Sequence, residues 1–203
     1  MSILTLQPLP PVQGPPYPVY RLTVEGFHGM IRTGLLAEDD RVELLEGWIV
    51  PKMVHNPLHD GTVQRANKAI ARLLPQSWDI RVQSAITTGD SEPEPDLAVV
   101  REDPGSYLTR HPGPDDIGLV VEVAESSLVR DQTDKARLYA RAGIVRYWII
   151  NLVDGRVEVY SDPTGPSPIP AYRQHQDFDR LAMLPFPLDG KEIGQIPVRD
   201  LLP

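Results

Sequence analysis

The sequence predicts an α/β (or α+β) fold, a mixed central sheet flanked by helices with an N-terminal hairpin and C-terminal edge strands. Three observations carry that expectation. The runs DLAVVR (96–101), LVVEVA (119–124) and RYWIINL (146–152) are nearly all apolar, as strands are when both faces of their sheet are covered. After Asn56-Pro57, apolar residues recur at helical spacing. A further helical stretch, DQTDKARLYARAG, precedes the last apolar run, so the order is helix, three strands, helix, strand.

Taken in order, residues 1–18 hold Pro8, Pro10, Pro11, Pro15, Pro16 and Pro18. Proline fixes φ and lacks the amide donor, so this reads as an extended arm, with residues 19–203 forming one domain. Residues 23–33 are expected to be helical, capped by Thr23 and stopped by Gly34. Residues 41–54 read as a β-hairpin turning at Glu46-Gly47. Asn56 is a helix cap with Pro57 at the first helical position, and the helix should run to about Leu74 before Pro75. His59, Val63, Ala66, Ile70 and Leu73 form its apolar stripe. Strands are expected over 80–87, 96–101 and 119–124, a helix over 131–142 ended by Gly143, and a strand over 146–152. After Asp154-Gly155 come a hairpin (RVEVY, then AYRQH) and a segment with Pro185, Pro187 and Pro197, read as edge strands and loops completing the sheet.

Composition bounds the function. The chain has 203 residues, 41% of them hydrophobic and 24% charged, which suffices for a full core. It has no cysteine, so disulfides, thiolate zinc sites and a cysteine nucleophile are excluded, and a cytoplasmic setting is expected. No apolar run approaches the ~20 residues of a membrane span, and no secretory signal opens the chain. The net charge of −8 argues against a passive nucleic-acid binder. It is compatible with a nuclease whose metal site is itself acidic.

The residue that most asks for an explanation is Glu122, inside LVVEVA. Alternation sets Val120, Glu122 and Ala124 on one face and Leu119, Val121 and Val123 on the other, both apolar. An ionised carboxylate there needs a cation, either a metal or a basic side chain such as arginine. Asp96, in Glu94-Pro95-Asp96, opens the preceding long strand; the dipeptide alone is also a common turn. Asp96 and Glu122 together place two carboxylates on neighbouring strands, whose repulsion a hard divalent cation relieves. Magnesium keeps several waters, one of which can attack a phosphodiester.

Lys135 shares a helix face with Asp131, Leu138, Tyr139 and Ala142, so it leans toward the apolar side. There it either snorkels outward or reaches the carboxylates to orient water or stabilise phosphate charge. Arg130, Arg137 and Arg141 form another stripe, either a solvated face or a phosphate contact. His59 is either a core histidine or a site residue, and Glu43 is a further inward carboxylate or an ordinary solvated one. His55 and His59 have i, i+4 spacing, but HNPLH lacks the glutamate of HEXXH. Nucleophile-elbow, Walker and dinucleotide motifs are absent from the sequence.

RVELLEGWIV, His59 opening a helix, EPDLAVVR, and the long run from Glu122 to Leu152 together resemble the Uma-type family of bacterial restriction endonuclease-like proteins, of the PD-(D/E)XK superfamily. The resemblance covers about residues 23–160. It implies a restriction endonuclease-like core and endonuclease chemistry on nucleic acid, DNA foremost, with Mg2+ or Mn2+ as cofactor. It matches Asp96 to the PD aspartate and Glu122 to the acidic residue of the second half-motif, with the Val123 carbonyl a third metal ligand. Ala124 stands where the superfamily has lysine, and Lys135 on the next helix is its substitute. Lys135 with Tyr139 also resembles the Q-x-x-x-Y helix motif, with Lys for Gln. His59 and Glu43 are further candidate catalytic residues. A homodimer is expected because many nucleases cut paired strands. The competing expectation, favoured by Ala124 and the acidic charge, is an inactive member of the fold that binds nucleic acid or a protein partner.

Overall fold

The computed structural model describes residues 18–37 and 39–203. Apart from Pro18, the proline-rich arm lies outside the described residues.

Helix α1 (Val24–Arg32) begins where expected, with the Thr23 hydroxyl accepting the Gly26 amide at 3.0 Å. The hairpin of β1 (Val42–Leu45) and β2 (Trp48–Pro51) turns at Glu46 and Gly47, with φ of 51° and 78°. Two successive positive φ values match the twist of the flanking strands. Helix α2 (Pro57–Ala71) is capped by the Asn56 side chain, which accepts the His59 amide at 2.9 Å. It is one turn shorter than the apolar stripe suggested.

The central sheet has six strands in the order β3-β4-β5-β6-β7-β8. These are β3 (Trp78–Val82), β4 (Leu97–Arg101), β5 (Ile117–Ala124), β6 (Arg146–Asn151), β7 (Arg156–Pro163) and β8 (Tyr172–Asp179). All neighbours are antiparallel except the parallel pair β5–β6. That pair requires a crossover, supplied by α3 (Leu128–Arg130), a π-helical turn (Asp131–Lys135) and α4 (Ala136–Ala142), which run on without a break. Gly143, at φ 79°, ends the run.

Two features differ from expectation. The strand expected over 80–87 stops at Val82, because Gln83 adopts φ 45° and turns the chain out of the ladder. The chain's last strands, β9 (Met183–Leu188) and β10 (Lys191–Pro197), do not complete the central sheet but pair with each other as a separate hairpin, followed by α5 (Val198–Leu201). A two-stranded ladder leaves one side of each strand unpaired, which accommodates Pro185 and Pro187.

The central strands are buried on both faces, as their composition demanded. Leu97, Val99, Leu119, Val121, Val123, Trp148 and Ile150 pack under α2, the β9–β10 hairpin and α5. On the opposite face Ala98, Val100, Val120, Ala124, Tyr147 and Ile149 pack with Leu138 and Tyr139 of α4. Glu122 follows the alternation onto this second face. Strand β5 is buried along all 8 residues, so Glu122 has no route to solvent along its own strand.

Gly118 shows how closely the C-terminal hairpin sits on the sheet. A Cβ there would stand 2.7 Å from both Leu188 and the Trp78 ring. Gly118→Ala is therefore expected to destabilise the fold by about 1–3 kcal/mol through overpacking, read as a lowered urea midpoint at unchanged m-value.

Candidate functional site

The site forms where β4 begins and β5 ends. The last antiparallel pair between them is Leu97 with Val121, so one further step sets Asp96 across from Glu122. Asp96 is anchored there, its Oδ2 accepting the Val123 amide at 2.8 Å and facing His59 Nε2 at 3.1 Å. His59 comes from the first turn of α2, and its ring stacks on His55 with centroids 4.0 Å apart. Asn56 both caps α2 and donates to Glu125 Oε2 at 2.7 Å, holding the helix start against the end of β5.

Glu122 is 4% exposed and Lys135 5% exposed. Glu122 Oε1 accepts from Lys135 Nζ and from the Tyr139 hydroxyl, each at 2.8 Å. Lys135 therefore ends inside, on the carboxylate, and does not snorkel. No arginine is bonded to either Asp96 or Glu122 among the described residues.

Glu43 points inward from β1. Its Oε2 accepts the Glu94 amide at 3.3 Å and Arg130 lies 3.9 Å from Oε1. Asp131, at the start of the π-helical turn, takes the Ser127 hydroxyl on Oδ2 at 2.6 Å. Its Oδ1 is buried without a partner. Glu43, His59, Asp96, Glu122, Asp131 and Lys135 all line one cavity of about 330 Å3, to which Val123 also contributes. Five of these six side chains are the ones singled out from sequence. Asp131 was missed as a site residue: at a helix start it reads as a capping carboxylate, whereas α3 precedes it and the widened turn directs it inward.

The arginine stripe divides. Arg130 lines the cavity. Arg137 is bonded to Glu46 at 2.8 Å and Arg141 to Asp90 at 2.6 Å, which ties α4 to the β1–β2 turn and to the loop 83–96, and neither lines the cavity.

Burial and charge set the protonation states. Burial raises the Asp96 pKa, but His59 and the Val123 amide outweigh it and hold the carboxyl below its ordinary value. Burial lowers the His59 pKa, and the Asp96 and Asp60 carboxylates more than reverse that. The two shifts agree, each partner favouring the charged form of the other. Burial pushes the Glu122 carboxyl up to about 8, with Asp131 and Asp96 adding to the rise and Lys135 opposing it. Burial also raises Asp131. Lys135 is raised despite burial because Glu122, Glu43 and Asp131 surround it, so it stays an ammonium. The cavity thus carries more carboxyl groups than its own cations comfortably balance.

A family model described as "Putative restriction endonuclease", Uma2, matches residues 24–190. The chain belongs to the Uma2 family. The match runs from α1 through β9 and stops short of β10 and α5. A solved structure titled as a "putative nuclease belonging to DUF820", from Anabaena variabilis ATCC 29413, superposes with a TM-score of 0.61 at 18% identity, covering 89% of this chain and 97% of that one. At that identity the likeness establishes the fold of this Uma2 chain and nothing further. No curated protein matches it.

Lys135→Met tests the buried pair. Without the ammonium, burial and the neighbouring carboxyls keep the Glu122 pKa above its unfolded value. Such a group supports the fold below pH ~4.5 and loses that support as pH rises through the folded value. Urea unfolding should show a loss of about 3–5 kcal/mol at pH 9 and a smaller loss at pH 6. A loss equal at both pH values would contradict the pairing.

Proposed function

We propose that this protein is a metal-dependent endonuclease that hydrolyses phosphodiester bonds of DNA. The observation that carries the reading is the convergence of Asp96, Glu122 and Asp131 on one cavity, with Lys135 bonded to Glu122. Membership of the Uma2 family supports it.

The residues fit a hard divalent cation. The inward donors are carboxylate oxygens, the ligand type Mg2+ and Mn2+ prefer, and Asp131 Oδ1 is a buried acceptor with no partner in the protein. Asp96, Glu122 and the Val123 carbonyl would hold the ion, with Asp131 beside them. When bound, the ion polarises the scissile phosphate and makes water a stronger acid.

The chain's own residues do the rest. Lys135 stays protonated and fixed by Glu122, so it presents a positive charge where the phosphate gains negative charge. His59 holds Asp96 in one rotamer through Nε2, and the Val123 amide pins the same oxygen. Glu43 adds to the field that keeps Lys135 charged. Arg130 on the cavity wall, with its nearest carboxylate 3.9 Å away on Glu43, attracts a phosphate backbone toward an otherwise acidic surface. Ala124 is packed in the apolar layer beside α4, and the basic group comes from the helix instead. We place this activity in the cytoplasm, with two copies acting on a duplex.

A second reading, a member of the fold that does not cut and binds nucleic acid or a protein partner, draws on Ala124. The Lys135–Glu122 bond weighs against it, because it returns an ammonium to the site.

The deciding experiment is plasmid cleavage with Mn2+. Wild type should cut, and Asp96→Ala and Glu122→Ala should each be slowed by more than about 100-fold, since even outer-shell partners of a metal contribute up to ~100-fold. Equal cutting by wild type and Glu122→Ala would overturn the assignment, and retention of DNA with no cutting in wild type would favour the second reading. Metal binding should also release a proton from Glu122. Calorimetric Mn2+ affinity is therefore expected to rise up to about tenfold per pH unit toward pH 8 and then level, with the slope lost in Glu122→Gln.

A further inference from the structure

We propose a second metal site, for a zinc-class divalent cation, formed by His28, Glu92 and His111. None of the three lines the Glu122 cavity. They come from separate stretches of chain: α1, the loop 83–96, and the irregular segment 102–113.

Glu92 is the buried member, its side chain 4% exposed. Both of its oxygens lie 2.8 Å from His28 Nε2, and Oε2 also accepts the Thr87 hydroxyl at 2.8 Å. His111 turns toward the same carboxylate, but its Nε2 stops 4.0 Å from Oε1, beyond hydrogen-bond range. Its Nδ1 is buried with no partner. An ordinary histidine–glutamate ion pair accounts for His28. It leaves unexplained a second imidazole aimed at a carboxylate it does not bond.

A shared ion accounts for all three. One ligand atom from each residue lies within 4.8 Å of the other two. A tetrahedral ion with bonds of about 2.0–2.1 Å sets its donors roughly 3.3 Å apart. The separations of Glu92 from His28 and from His111, 2.8 and 4.0 Å, bracket that value, and the two imidazoles close to it by rotating about the carboxylate. Two imidazoles and one carboxylate suit zinc or cobalt better than magnesium, which favours oxygen throughout. The two imidazoles reach the surface, and a hollow of about 550 Å3 lined by His28, Thr87, Tyr107, Arg110 and His111 gives an ion access and leaves a fourth position to water.

The ion would act as a clamp. Segment 102–113 contains no regular element, and Ser106 and Tyr107 adopt φ of 52° and 54°. The Glu92 amide donates to the Leu44 carbonyl at 2.7 Å, and Glu92 lies just upstream of Asp96. Cross-linking α1 and His111 to Glu92 therefore braces the loop that leads into the carboxylate cavity.

The test uses the full chain, stripped with chelator and titrated with Co2+ (followed by visible absorption) and with Zn2+ (followed by calorimetry). The comparison set is wild type, His28→Gln, His111→Ala, and the double variant His55→Ala/His59→Ala, which removes the other close pair of histidines. Wild type and the double variant should bind the ion, while His28→Gln and His111→Ala should bind more than about 100-fold more weakly, a first ligand outweighing any outer-shell partner. Zn2+ should raise the melting temperature of wild type and not that of His111→Ala. His111 is partly exposed, so its truncation leaves the core intact, and circular dichroism verifies that. Zinc affinity in His111→Ala equal to wild type, or no affinity in wild type, would overturn the site. Neither result bears on Mn2+-dependent cutting, so the two metal assignments stand or fall separately.

Discussion

The bond between Glu122 and Lys135 is the constraint around which the molecule is arranged. A carboxylate in the middle of a sheet buried on both sides is too costly to leave alone. It dictates that a basic side chain arrive from the layer above. Lys135 can do so only if the crossover after β5 lies flat on the sheet, which the apolar contacts of Leu138 and Tyr139 enforce. The Tyr139 hydroxyl fills the remaining hydrogen-bonding need of the same oxygen. Burying such a pair adds little net stability against an apolar alternative of equal volume.

The cavity is assembled from the ends of elements, each held by backbone hydrogen bonds that cannot shift independently. Asp96 ends the approach to β4, Val123 and Glu122 lie at the exit of β5, and His59 sits in the first turn of α2. Ligand sites in sheets of this kind gather at the carboxyl ends of parallel strands, and β5 and β6 are the parallel pair here. The acidic overall charge is thus partly local to the site. Basic side chains that looked free in sequence, Arg137 and Arg141, serve instead to fasten α4 to Glu46 at the β1–β2 turn.

Much of this was legible from residues alone, because burial leaves a direct mark on sequence. Glu122 stood out as a charge in an apolar run, and Lys135 as a charge on the apolar face of a helix. What escaped notice depended on backbone details that no periodicity encodes. Asp131 looked like a helix start, yet the chain is already helical from Leu128. Gln83 carries no turn signal, yet it ends β3 by adopting a left-handed conformation. The prolines of β9 suggested loops because proline weakens a ladder, a rule that relaxes in an isolated hairpin. His28, Glu92 and His111 meet only in three dimensions, since the first two are 64 residues apart.

The widened turn between α3 and α4 marks where the crossover can absorb a change of length. A π-helical turn holds one residue more than the α-helical turn it replaces. Deleting a single residue between Leu128 and Lys135 would let the helix relax to regular winding. The tighter winding and the lost residue largely offset each other, so Leu138 and Tyr139 would keep their face on the sheet. A deletion within α4 has no such compensation and would turn everything after it by about 100°. The five-residue stretch is therefore the point where the crossover can lose a residue with least disturbance downstream.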